Sequence, residues 1–285
     1  MDDERFGILY RLVGQLSSPR GKRCQYSDGD ILLVLLWAAL RQKPICWACN
    51  RRNAPRVLRG RRLPSPSLVS RRLRSDLVNM LLDLVIVSLQ QPLLADPTLV
   101  DCWKIDARGL AVNRFSKDKQ AKWGYCCGRK ALGYKLFLLI DARDVPIAWH
   151  VEAMNVSEPI VAQQLIEHID RPGYLLGDSL YDSSTLHELT AAKQVQLLAP
   201  RKQPDQPIGR RAQSDARMHA IAMLETPVNT FGPSLYNCRT DIERVFSRWA
   251  ASDVGLDHLP GWVRTLPRVR RWINAKILIA LALEN

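Results

Sequence analysis

The chain has 285 residues, of which 47% are hydrophobic and 24% charged, a composition that carries a core and excludes disorder and collagen-like fibres. With 41 Lys and Arg against 28 Asp and Glu its net charge is +13, the balance of a protein that meets a polyanion. The longest apolar run, Ile31 to Leu40, is too short to cross a bilayer, and no leader-like segment opens the chain, so no membrane partner is expected and the expected location is the cytoplasm. Seven cysteines, an odd number with Cys126 and Cys127 adjacent, argue against a disulfide framework.

In chain order, Ser27, Asp28 and Asp30 form a near capping box before the apolar run, which predicts a helix over 28–42. Between Asp30 and Asp76 there is no acidic residue, yet the stretch holds eleven bases from Arg41 to Arg74. Soluble surfaces usually mix both signs, so this run reads as a binding face for a polyanion rather than a merely solvated one. Ser65 and Pro66 then open a second helix with apolar Leu68, Val69, Leu73, Leu77 and Val78 and with Arg71, Arg72 and Arg74 in its early turns. A helix, a turn and a second helix of this kind resemble a helix-turn-helix. Cys46-Trp-Ala-Cys49 lacks a second ligand pair nearby and reads as structural.

From about Pro97 the texture becomes strand-like: Leu99 to Ile105, then a hairpin of Gly133–Asp141 and Val145–Ala153. A helix from Ser157 to Ile169, a strand ending at Asp178, a helix from Ser183 to Lys193 and a strand over Val195–Ala199 follow. Arg201 to Arg217 reads as a basic loop, and helices over 239–250 and 259–283 close the chain. The fold expected is an α/β mixed sheet with flanking helices after a helical domain, divided as residues 1–95 for DNA binding and 96–285 for chemistry with the C-terminal helices.

Two aspartates, Asp101 and Asp178, stand on or just after buried strands, where a carboxylate must be compensated by a cation. In a basic protein they make a candidate Mg²⁺ site for phosphodiester chemistry, with Mn²⁺ as an alternative. Each has a local rival, Asp106 and Asp182, the latter with an ordinary role as a helix cap. On the helix after residue 239, Arg239 and Glu243 are four apart and share a face, whereas Asp241 points elsewhere.

Tyr236, Arg239 and Glu243 spell Y-x2-R-x3-E, which resembles the signature of a branch of bacterial insertion-element transposases with a DDE active site on a ribonuclease H-like core. Val100-Asp101, Gly133-Tyr-Lys135, Leu176-Gly-Asp178-Ser-Leu-Tyr-Asp182 and Ile242-Glu243-Arg-Val-Phe246 agree in the expected order, as does the arginine-rich segment around Ser65–Arg74. The resemblance implies a metal-dependent transposase that cleaves and joins strands, with Asp101, Asp178 and Glu243 holding two ions. It implies phosphate contacts from Tyr236 and Arg239, DNA contacts from Arg71, Arg72, Arg74 and Lys135, terminal repeats and target DNA as partners, and a dimer on DNA. Lys135 has a second reading as a guard on a hairpin edge. The pattern's Lys or Arg seven residues after the glutamate is Ala250 here, with Arg248 as a neighbouring base. The other readings are a transposase-derived DNA-binding protein without catalysis, and a nuclease on the same core.

Overall fold

A computed structural model of the chain describes residues 2–19, 24–94, 101–126, 128–208, 213–226, 228, 230–251 and 254–284, with Asp2 and Cys126 given as backbone alone. The chain divides into two compact units, Met1–Ala95 with Trp249–Asn285, and Asp96–Arg248. The second sequence domain therefore ends early: the C-terminal helix belongs with the N-terminal ones. The reason is its burial, because a helix apolar on almost every side needs other helices around it.

The first unit is helical: α1 (Asp2–Leu16), α2 (Asp28–Leu40), α3 (Ile45–Ala48), α4 (Pro66–Arg72), α5 (Asp76–Leu93) and α11 (Leu266–Glu284). The capping box of α2 is complete, with Ser27 N donating to Asp30 Oδ2 at 2.8 Å and Asp30 N to Ser27 Oγ at 3.1 Å. Every residue of α2 from Ile31 to Leu40 is buried. Helix α11 packs on α2 and α5 and is buried from Trp272 through Ala282 except at Asn274. Helix α5 has the length and mean hydropathy, 1.2, to cross a membrane; Val78, Leu81, Leu82, Val85, Ile86 and Leu89 are buried on one face against neighbouring helices, while Leu77, Met80, Leu84 and Val87 are exposed on the other.

The second helix of the predicted helix-turn-helix is broken into α4 and α5. Ser75 Oγ donates to the Arg72 carbonyl at 2.7 Å and Ser75 N–H bonds the same oxygen, which closes α4 and frees Asp76 to start a new helix. Arg72 is used by the fold, donating to Asp28 at 2.6 Å and to the Tyr26 carbonyl at 2.9 Å, while Arg71 and Arg74 are exposed.

The second unit is built on a six-stranded mixed sheet: β1 (Cys102–Ala111), β2 (Lys122–Cys126), β3 (Arg129–Ile140), β4 (Pro146–Ala153), β5 (Gly173–Leu176) and β6 (Val195–Leu198). Strand β3 pairs antiparallel with β1 on one side and with β2 and then β4 along the other; β5 and β6 continue from β1 in parallel. The predicted hairpin is present, turning at Asp144 with φ 65°. Lys135 lies on interior strand β3, so it guards no edge.

Strand β1 extends well past Ile105, which brings Asp106 inside it; Leu99 and Val100 lie outside the described residues. Its side chains alternate between the two faces. Trp103 and Ile105 join Phe137, Leu175 and Leu197 under α6 (Glu158–Ile166) and α7 (Ser184–Ala192). Cys102 joins Leu176 and Leu198 under α8 (Asp215–Glu225) and α9 (Phe231–Asn237). The basic loop is shorter than predicted: α8 starts at Asp215, Arg201 anchors to Glu225 at 2.6 Å, and 209–212 lie outside the described residues. This is the sheet and layering of a ribonuclease H-like core.

Candidate active site

Strand pairing decides which acids meet. The parallel register of β1 and β5 sets Lys104 against Leu176, so two residues further Asp106 comes level with Asp178. Asp178 stands just past the end of β5, where its side chain caps the 3-10 turn Ser179–Tyr181 by accepting from Leu180 N at 2.8 Å. Asp101 is five residues back along the strand, about 16 Å away at 3.3 Å per residue. It pairs there with Arg171 at 3.3 Å. The acids brought together are Asp106 and Asp178, and Asp101 lies apart from them beside Arg171.

Helix α10 (Thr240–Ala251) is held over the same face of β1. Three alternate residues of the strand hold it: Lys104 Nζ lies 3.0 Å from Asp241, Asp106 faces Arg239 at 3.9 Å, and Arg108 donates to the Phe246 carbonyl at 2.8 Å. Asp241 is thus a structural partner of buried Lys104. Arg239 closes the turn between α9 and α10 and donates to Glu243 at 2.6 Å, the predicted four-residue pair. Glu243 stands at this end of the site with Arg239 between it and Asp106. Tyr236, half-buried on α9, is close to Arg239, Asp178 and Asp106, and burial pushes its hydroxyl pKa up.

The remaining predicted residues are placed as follows. Asp182 is buried and is no helix cap; Ser183 caps α7, while Asp182 accepts two 2.7 Å bonds from Arg217. Lys135 pairs with Glu158 at 3.1 Å. Arg248 is exposed in the last turn of α10, and five residues carry it about 140° round the helix from Glu243, so it does not stand in for the base expected at 250. Two residues escaped the sequence reading. Glu158, read only as part of a helix start, is a buried carboxylate facing Asp178, and Tyr181 is fully buried beside Glu158, Asp106 and Asp178.

The electrostatics are those of clustered acids. Burial, with the nearby Asp178 and Glu158 charges, pushes Asp106 up to about 7 against the lowering by the Ala107 amide and Arg239. Burial raises Glu158 too, and Lys135 holds it down. Among the described residues no three His, Cys, Asp or Glu side chains are closed into a metal cluster. The donor set nonetheless fits a hard divalent cation: carboxylate oxygens, desolvated and facing one another, with one arginine for compensation.

Compared with known families, residues 99–283 match the model of the transposase DDE domain. No individual curated protein matches the chain. The match spans well over half of the chain and includes the sheet, both aspartates at its centre and the Arg239–Glu243 helix. The chain belongs to the DDE transposases, DNA-acting enzymes that use divalent metal ions to cut and transfer phosphodiester bonds.

Proposed function

We propose that this transposase cuts and joins the ends of its own insertion element with Asp106, Asp178 and Glu243 as the acid set, Mg²⁺ as the resident ion in two copies, and two protomers acting on the two ends. The observation that carries the assignment of the first acid is the register that levels Asp106 with Asp178.

Bound divalent ions supply activation of the attacking oxygen and stabilisation of the leaving one. Asp106 on β1, Asp178 just past β5 and Glu243 on α10 would hold such ions. Arg239, which lies between Glu243 and Asp106, would give a bidentate contact to the phosphate at the cut. Tyr236 adds a neutral donor beside it. The exposed Arg71 and Arg74, and the other bases of the acid-free stretch, hold the flanking duplex by its phosphates.

The test compares Asp106→Asn with Asp101→Asn, on DNA carrying the gene and its flanks. Asp106→Asn is expected to lower cleavage by more than about 100-fold, beyond the 10- to 100-fold that outer-shell residues of metal sites command. It should also abolish the Mg²⁺-induced rise in melting temperature. Asp101→Asn should keep both. The reverse pattern overturns the assignment.

A further inference from the structure

Beside the acids, β2 and the segment after β4 enclose a cleft of about 460 Å³ whose lining includes Trp123, Tyr125, Lys130, Lys135, Glu158 and Lys202. The volume is that of a small-molecule site, but the lining is unlike one. Trp123 and Tyr125 are 57% and 67% exposed, two residues apart on a strand at the margin of the sheet, and so on one face. Lys130 is the direct cross-strand partner of Tyr125. The cleft holds three lysines and one carboxylate, Glu158, which is paired with Lys135 at 3.1 Å. A Cβ on Gly124 would lie 2.3 Å from the Met154 carbonyl oxygen, so glycine lets β2 lie directly against the segment after β4.

Exposed aromatic faces interleaved with cations suit one class of ligand, an unpaired nucleic-acid strand, whose bases stack on the rings while its phosphates meet the lysines. A duplex frees only the face of its terminal base pair and cannot lay successive bases on two rings. A small anion would leave both rings exposed. We infer that this cleft binds unpaired nucleotides of the DNA strand adjoining the cut. Glu158 fixes its position in the reaction, since the same carboxylate that lines the cleft faces Asp178 and Asp106. The inference rests on the reading of the acids as the cutting site.

The experiment measures anisotropy of a labelled 15-nucleotide single strand, and of the same sequence as duplex, with the full chain in EDTA so that no cutting occurs. Trp123→Ala with Tyr125→Ala is expected to weaken single-strand binding roughly tenfold or more, while duplex binding changes less than about twofold. Trp123→Phe, which keeps a stacking face, should restore most of the loss at that position. Photocrosslinking of a 5-iodouracil strand should map to Trp123 or Tyr125. Equal losses for strand and duplex, unchanged strand binding by the double variant, or crosslinks confined to other segments each overturn the inference. So does a change of the double variant from dimer to monomer in sedimentation with strand binding intact, which would make the aromatic face a protein interface. Because these readouts involve no metal, failure here with Asp106→Asn still inactive leaves the cutting site standing. An active Asp106→Asn removes the cutting site without touching strand binding.

Discussion

Lys276 is 1% exposed on α11, its Nζ has no hydrogen-bond partner among the described residues, and it lies 5.4 Å from the centre of the Trp272 ring. Burial lowers its pKa from 10.5 to about 8. A lysine with a folded pKa below its unfolded one binds its proton less tightly when folded, so the native state is penalised wherever the unfolded chain is charged. That penalty is complete below pH 8, shrinks as pH rises, and vanishes above 10.5. Lys276→Met, which keeps the stem and removes the charge, is therefore expected to stabilise the protein by roughly 2–3 kcal/mol at pH 7. The gain should fade in melts taken from pH 8 towards 10.5; a destabilised variant at pH 7 would show that the charge has a use. Asp182 shows the opposite case, a carboxylate held well below its usual range by Arg217 and His187 despite burial.

At the scale of elements, the active site depends on how α10 is tied to β1. Lys104 is 2% exposed and serves Asp241 at 3.0 Å, Asp144 at 3.3 Å and the carbonyls of Asp141 and Ala142. It thereby fixes the helix that carries Glu243 to the strand that carries Asp106. Lys104→Met leaves Asp241 with Arg244 as its remaining ion-pair partner and removes the buried cation between two elements. Breaking a buried pair costs about 3–5 kcal/mol, and the partial exposure of both aspartates reduces the expectation to about 2–3 kcal/mol. Cleavage should drop by at least about tenfold at temperatures where melts show the variant folded, since catalytic groups lose rate when misplaced by an ångström. Full activity in a folded Lys104→Met protein would mean that α10 is positioned without this tie.

At the scale of the molecule, a helical unit is assembled from both ends of the chain, and the sheet unit is inserted between those ends in sequence. Helix α11 supplies buried surface to α2 and α5, so a fragment of residues 1–95 lacks a wall of its own core. Such a fragment is expected to unfold without a cooperative transition, while residues 1–95 joined by a flexible linker to 249–285 should melt cooperatively. A cooperative melt of 1–95 alone would show that the terminal helix is dispensable. The same assembly bears on DNA binding, because truncations at residue 95 or 248 damage the fold that presents Arg71 and Arg74, and selectivity should be mapped on the intact chain.

Residue patterns alone determined the elements whose causes are local. The capping box at Ser27–Asp30, the hairpin around Asp144 and the four-residue pairing of Arg239 with Glu243 were all legible because each is set within a few residues. The motif from Tyr236 to Glu243 likewise announced the family, and the family match agrees. The choice between Asp101 and Asp106 was not legible: each follows an apolar branched residue in a strand-like run, and strand register is a relation between segments some seventy residues apart. Glu158 and Tyr181 joined the acids for the same reason, being brought there by sheet and helix packing rather than by their neighbours in sequence. Local propensity fixes what a segment becomes, but only tertiary pairing decides which of its side chains face one another.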